Sequence, residues 1–379
     1  MKAPRKRRIP ARTKGPARPK AAPSRRTAGP APFVCEVDVA EGLERFAWDE
    51  LDGLFEERVE QIDGSSTPGR IRFQYVGNLY HLTRLQTVQA VYLSQVFAIP
   101  RPKALLGDQH FRALLAQIAA VRDLSPADAY QTFYLSAAGS ESSVLGRLRD
   151  ALAEHTGLTP STEEGDLLIR LRHPPEDKDH WETLVRLSPR PLATRSWRVC
   201  NREGALNAAV AQVMVRLTRP KPEDAFLNIG CGSGTLLIER LACAPAVSVS
   251  GYDHDATALT CAEQNAAAAG FGEQIKLNLG DARKLPLTAK SVDAICADLP
   301  FGHMIGSHEG NIELYPALLA EVGRVAKPGA RFVLITHEVR LMETLLEESP
   351  TWHIVEVIRV ALGGLYPRIF VLERKGIIE

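Results

Sequence analysis

From about residue 200 onward the chain repeats strand, loop and helix, and this rhythm restricts the fold more than any other feature. Apolar runs at 225–229, 247–252, 275–279, 292–297, 331–336, 353–360 and 368–372 alternate with helical patterns at 234–244, 256–269, 312–326 and 339–348. Strands joined by crossover helices predict an open, mostly parallel, doubly wound α/β sheet of seven strands, a Rossmann-like architecture. The last two strands flank a loop holding Gly363, Gly364 and Pro367, and are expected to pair antiparallel at one edge.

A doubly wound sheet binds its ligand at the carboxyl ends of its strands, beside the topological switch, so the residues ending these runs are the first candidates. The first run ends in Asn228-Ile229-Gly230-Cys231-Gly232-Ser233-Gly234. Glycines without Cβ atoms let a ligand lie against the backbone. Alone, this turn fits a dinucleotide as well as another nucleoside. The second run ends at Asp253, about 20 residues on, where a carboxylate can accept both ribose hydroxyls, and that spacing still fits NAD. The third ends in Asn278-Leu279-Gly280-Asp281-Ala282, which puts a carboxylate where an adenine amino group can donate to it. With Asp281 and Ala282 the set favours S-adenosylmethionine, with Asn228 facing the amino-acid end of the cofactor. Asp255 reads as the N-cap of the helix that follows.

The fourth run ends in Asp298-Leu299-Pro300-Phe301-Gly302. An acidic-Pro-aromatic turn suits an exocyclic amino group on a flat base, whose lone pair is delocalised into the ring. The Asp298 carboxylate and a neighbouring carbonyl such as that of Leu299 can each accept one amino hydrogen. That draws the nitrogen towards tetrahedral and aims its lone pair at an incoming methyl group. Pro300 fixes the turn, and Phe301 offers a face on which an extruded base can stack. The motifs together predict methyl transfer to nitrogen. His303 and His308 follow closely and read as surface loop residues.

The front half is organised differently. Alternating apolar residues at 33–39 and 70–76 predict strands, 41–54 predicts a helix, and 79–98 reads as mostly helical, giving a small α+β unit over 31–98. A second α+β unit over 99–190 has helical patterns at 111–120 and 142–155 and strands at 131–137, 166–172 and 181–187. It carries Arg147, Arg149, Arg170, Arg172 and Arg186. Residues 191–222 read as a linker and 223–379 as the Rossmann-like domain.

Charge is uneven along the chain. Residues 1–30 hold eleven Lys or Arg and no acid, which leaves 35 basic against 45 acidic side chains, or −10, over residues 31–379. A segment that basic and that rich in Pro and Ala is expected to be a disordered arm, either gripping nucleic acid or solubilising the chain. The six cysteines are scattered without CxxC or a Cys/His cluster, so reduced, buried thiols and no metal site are expected, in a cytoplasmic setting. No apolar run approaches the roughly 18 residues of a membrane span.

The segments Gly232–Glu239, Asp298–Gly302, Ile305–His308 with Leu314-Tyr315-Pro316, and Gly364–Ile369 resemble those of the THUMP-domain tRNA guanine-N2-methyltransferases. The resemblance implies a ferredoxin-like unit and a THUMP module ahead of the catalytic domain, gripping the tRNA and its 3′ end. It implies S-adenosylmethionine-dependent methylation of a guanine N2 amine, at guanine 6 of the acceptor stem for this architecture. Asp298, Pro300 and Phe301 match the family's catalytic motif, and Gly230, Gly232, Asp253 and Asp281 its cofactor contacts. The segment Arg195–Arg198 with Gly204–Asn207 resembles the family linker, whose end implies a cofactor contact for Leu206. A departure stands at Asn228-Ile229-Gly230, where the family usually has Asp-Pro and an apolar residue. A monomer is expected, with room for a small activator subunit. The alternatives are an amino-methyltransferase acting on rRNA or DNA bases and a catalytically silent RNA-binding protein.

Overall fold

The computed structural model describes residues 31–62, 67–139, 142–175, 177–300, 308–347 and 349–376. The basic arm expected over residues 1–30 lies outside them, as do Phe301 and His303.

In the front half, strands β1 (Phe33–Asp38), β2 (Val59–Gln61), β3 (Arg70–Tyr75), β4 (Ala90–Phe97), β5 (Thr132–Ala137), β6 (Thr159–Pro160), β7 (Leu167–Arg172) and β8 (Trp181–Arg186) form one sheet. Their order is β2-β3-β1-β4-β8-β7-β5-β6, with helices α1 (Glu44–Phe55), α2 (Asp108–Arg122) and α3 (Ser143–Thr156) between them. Pairing of β4 with β8 carries the sheet from residues 33–97 into residues 132–186.

The helical expectation for 79–98 is corrected. Only Leu79–Arg84 turns, as a 3₁₀ segment capped by the Asn78 side chain, and 90–97 is strand β4. This strand is central, paired with β1 and β8, and Ala90, Val91, Tyr92 and Leu93 are all buried. A strand buried on both faces loses the period-two alternation that marks a half-exposed one.

Helix α4 (Ala208–Leu217) leads into the second sheet, with eight of its ten residues buried. A helix buried nearly all round is a core element, not a tether. Strands β9 (Ala225–Ile229), β10 (Ser248–Asp253), β11 (Ile275–Leu279), β12 (Val292–Asp298), β13 (Ala326–Thr336), β14 (Trp352–Arg359) and β15 (Arg368–Arg374) follow. They alternate with α5 (Thr235–Cys243), α6 (Ala256–Ala268), α7 (His308–Val325) and α8 (Val339–Glu347). The order is β11-β10-β9-β12-β13-β15-β14. β9 to β13 run parallel, whereas β15 pairs antiparallel with both β13 and β14, as expected. The chain leaves β9 towards β11 and returns to β12 on the other side of β9. That reversal opens the crevice between the ends of β9 and β12.

Residues 32–379 form a single compact unit, and one hydrophobic cluster runs from β1 through α4 to β15. Polar contacts reinforce this junction. The buried Glu50 carboxylate on α1 accepts from the Thr87 amide at 2.8 Å and from Arg216 of α4 at 2.5 Å. Arg195 binds Glu239 of α5 at 2.8 Å and the Gln86 carbonyl at 2.7 Å. At Gly42, with φ +97°, a Cβ would lie 2.0 Å from the Arg359 carbonyl oxygen, so only glycine allows the halves to meet there. No described helix is long and apolar enough to cross a membrane.

Candidate functional site

A cavity of about 690 Å³ opens at the switch point. Its walls come from the ends of β9, β10, β11 and β12, from residues 202–206 before α4, and from α7. Gly230 and Gly232 form its floor with φ of +60° and +52°, a region that disfavours side chains. No atom lies within 4 Å of where a Cβ on Gly232 would point, so the turn leaves open space along its backbone.

Asp253 organises that floor. One carboxylate oxygen accepts the Gly232 amide at 2.8 Å and the other the Asp255 amide at 3.0 Å. The group is 7% exposed and borders the cavity, so each oxygen can take a further hydroxyl donor from a ligand. Asp255 caps α6 through the Thr257 amide at 2.8 Å, as expected, and binds Arg202 at 2.5 Å. The Thr257 hydroxyl and amide, with Arg202, pull its carboxyl down to about 2.

Asp281 and Ala282 also line the cavity. The Asp281 carboxylate is bound by the Arg283 side chain at 2.8 to 3.0 Å, which holds its pKa below the usual range. Leu206, 8% exposed, belongs both to the core and to the cavity wall, and its carbonyl accepts from Arg198 at 3.0 Å.

Asn228 is elsewhere. Its side chain is fully buried, and its amide donates to the Cys296 carbonyl at 3.1 Å on β12 and to its neighbour's carbonyl, that of Ile229, at 3.3 Å. The side chain has no exposed surface and does not line the cavity, so the structure does not bring Asn228 together with the other expected cofactor residues. Pairing of Asn228 with Cys296 in the β9–β12 ladder turns the amide onto the neighbouring strand instead.

Asp298, Leu299 and Pro300 enter the same cavity from the end of β12. No described residue donates a hydrogen bond to the Asp298 carboxylate, and burial pushes its pKa up to about 7. Phe301, the expected stacking face, falls outside the described residues. Beyond Pro300 the wall is apolar, formed by Leu314 and Leu318 of α7 and by Leu365.

Residues not singled out from sequence complete the rim, chiefly Arg202, Arg283, Tyr252 and Leu365. Leu365 sits in the Gly364–Ile369 segment, where the family resemblance was a signal. The two arginines look like any surface charge until their aspartate partners are placed.

Cys35, Cys231, Cys243 and Cys296 are free thiols as expected, but the expectation is corrected for the other two cysteines. Cys200 and Cys261 form a disulfide, 61 residues apart in sequence and with Cα atoms 5.5 Å apart. Their proximity arises because the segment before α4 crosses α6, where Asn265 also binds the backbone of Val199 and Cys200 at 2.9–3.0 Å. Closing a loop of this length stabilises by up to ~4 kcal/mol. Dithiothreitol is therefore expected to lower the thermal unfolding midpoint, and an unchanged midpoint would show that the thiols are not joined in solution.

S-adenosylmethionine fits this arrangement: a Cβ-free floor, the Asp253 and Asp281 carboxylates along its wall and an apolar extension to Asp298. Residues 195–368 match the family of RMKL-like methyltransferase domains. The crystal structure of TrmN from Thermus thermophilus is similar with a TM-score of 0.70 and 26% identity, covering 90% of this chain and 99% of that one. The tRNA (guanine(6)-N2)-methyltransferase of Thermus thermophilus is 34% identical over 191 residues, 50% of this chain and 56% of that protein. The tRNA (guanine(6)-N(2))-methyltransferase THUMP3 of Mus musculus is 34% identical over 183 residues, 45% of this chain and 36% of that protein. The chain thus spans about half or less of the length of these curated relatives.

Proposed function

We propose that this chain, whose residues 195–368 match the RMKL-like methyltransferase domains, methylates the exocyclic N2 amine of a guanine in tRNA, at position 6 of the acceptor stem, using S-adenosylmethionine. The observation that carries this reading is the single cavity shared by the Asp298–Pro300 turn, the Gly230–Gly232 floor, Asp253 and Asp281. The relatives named for guanine-N2 methylation of tRNA support the substrate. Residues 31–98 and 99–190 would grip the RNA as ferredoxin-like and THUMP modules, and the arm of residues 1–30 would add phosphate contacts. We place a monomeric enzyme in the cytoplasm, where tRNA is its substrate.

When bound, S-adenosylmethionine supplies a sulfonium-activated methyl group. Asp253 would hold its ribose hydroxyls, and Asp281 and Ala282 its adenine edge. Leu206 covers the cofactor from the linker side. Asp298 and the Leu299 carbonyl would each accept one hydrogen of the guanine amine, drawing the nitrogen towards tetrahedral and exposing its lone pair. Positioning of this kind can supply up to roughly 7–11 kcal/mol of the barrier. Asp298 then takes the proton that the nitrogen releases, a task suited to a carboxyl poised near neutrality.

A pH dependence follows from the raised carboxyl of Asp298, whose pKa lies at about 7. Only its ionised form can take up the proton that leaves the amine, so single-turnover transfer should rise with pH and level off above about 8, with a profile flattened by Asp298→Asn. A wild-type rate independent of pH between 6 and 8 would remove Asp298 from the proton balance. The functional reading itself is tested with unmodified tRNA and cofactor labelled in its methyl group, followed by digestion to nucleosides. N2-methylguanosine is expected. A labelled adenosine or cytidine, or label only in rRNA or DNA, would overturn it.

A further inference from the structure

Two side chains behind the Asp298–Pro300 turn donate hydrogen bonds to it. On α7 the Tyr315 hydroxyl lies 2.8 Å from the Pro300 carbonyl oxygen and 2.7 Å from Thr336 Oγ1. Asn311 Nδ2 reaches the same Pro300 carbonyl at 3.2 Å. Tyr315 and Thr336 are fully buried, and Asn311 is 2% exposed. The Thr336 oxygen also accepts the Glu338 backbone amide at 3.0 Å.

The direction of this chain is fixed by its ends. The Glu338 N–H can only donate and the Pro300 carbonyl can only accept. The Thr336 hydroxyl therefore donates to Tyr315 Oη, and the Tyr315 hydroxyl donates to Pro300. Hydrogen bonds aligned in this way polarise one another in a buried setting. On the other side of the turn, the Leu299 amide donates to the Ile335 carbonyl of β13 at 3.0 Å. Residue 299 is anchored by its N–H and residue 300 by its C=O. Among the described residues none donates to the Leu299 carbonyl, which lies between the two anchors.

We propose that Tyr315 and Asn311 are positioning residues that capture the Pro300 carbonyl, so that the Leu299 carbonyl, beside Asp298, is the backbone acceptor for the guanine amine. This rests on the amine-methylating reading above. With both lone-pair directions of Pro300 occupied, a substrate amine cannot settle on that carbonyl in a displaced, unproductive pose. The two α7 residues act on the reaction only through the turn, without touching the base.

The test uses the full-length enzyme with tRNA and labelled cofactor. Tyr315→Phe removes the donor and also strands the Thr336 hydroxyl in the interior, so it loses both rate and stability. The double variant Tyr315→Phe/Thr336→Val removes both hydroxyls together, a change that is nearly neutral for stability when shape is kept, apart from the Glu338 amide, which loses its acceptor. In the double variant the unfolding midpoint is expected to return towards wild type. Its kcat should stay at least about tenfold down, since small displacements at a reacting centre are costly in rate. Cofactor Kd and tRNA KM should stay within about twofold of wild type, because neither ligand touches the two hydroxyls. Asn311→Ala removes the second donor and is expected to show the same split, with kcat reduced and KM unchanged. Recovery of kcat together with stability in the double variant would overturn the proposal, as would KM and Kd rising in step with the loss in kcat. Wild-type protein that transfers no methyl group to tRNA would overturn the functional reading and this inference with it. Wild-type transfer matched by all three variants would overturn this inference alone.

Discussion

Asp298→Ala is expected to lower single-turnover methyl transfer about 10²- to 10³-fold, the scale seen when one preorganised group facing a reacting atom is removed. Cofactor affinity should barely change. The side chain stands at the end of β12 beside Pro300, and no described residue depends on its carboxylate for a hydrogen bond. Its loss removes an acceptor for the amine without unpairing a protein donor. Isothermal titration with the cofactor alongside the rate assay separates the two effects. Simultaneous loss of transfer and of cofactor binding would make Asp298 a structural residue.

Asp253→Ala should show the opposite split. This carboxylate holds the amides of Gly232 and Asp255 while facing the cavity, so removing it loosens the glycine floor and deletes the ribose acceptor. Hydrogen bonds to a charged group contribute about 1.5–3 kcal/mol each, so cofactor Kd should rise at least about 10²-fold. The rate at saturating cofactor should fall far less than in Asp298→Ala. An unchanged Kd would remove Asp253 from the cofactor site.

The parallel half of the molecule was legible because its strands are short and nearly all apolar. Phe226 to Ile229, Ile295 to Ala297 and Phe332 to Ile335 are buried from both sides and bounded by glycine or acidic turns. That pattern also located Asp253, Asp281 and Asp298 at strand ends, which the switch-point rule brings to one crevice. The same burial misled where a helix was also conceivable. In β4 the stretch Ala90–Leu93 has no alternation to betray a strand, because both of its faces are covered.

Other features depend on distances that spacing does not encode. Asn228 has the position of a ligand contact in the chain, yet the ladder pairs it with Cys296 and turns its amide inward. Cys200 and Cys261 meet only because the segment before α4 lies across α6, and no local motif marks either residue. Arg283 binds both oxygens of Asp281, which alters the chemistry of an acid identified from its spacing alone. Asn311 carried no signal, and Tyr315 stood only within the Leu314–Pro316 resemblance, until Pro300 was placed against both.

The most direct test of amine methylation compares two tRNAs that differ by one exocyclic group. One carries guanosine at position 6 of the acceptor stem, and the other carries inosine there, which lacks the N2 amine. Both are incubated with the enzyme and methyl-labelled S-adenosylmethionine. Label should enter the guanosine tRNA as N2-methylguanosine and should be absent from the inosine tRNA. Equal labelling of the two, or label on any atom other than a guanine N2, would contradict the reading of the Asp298–Pro300 turn as a clamp on that amine.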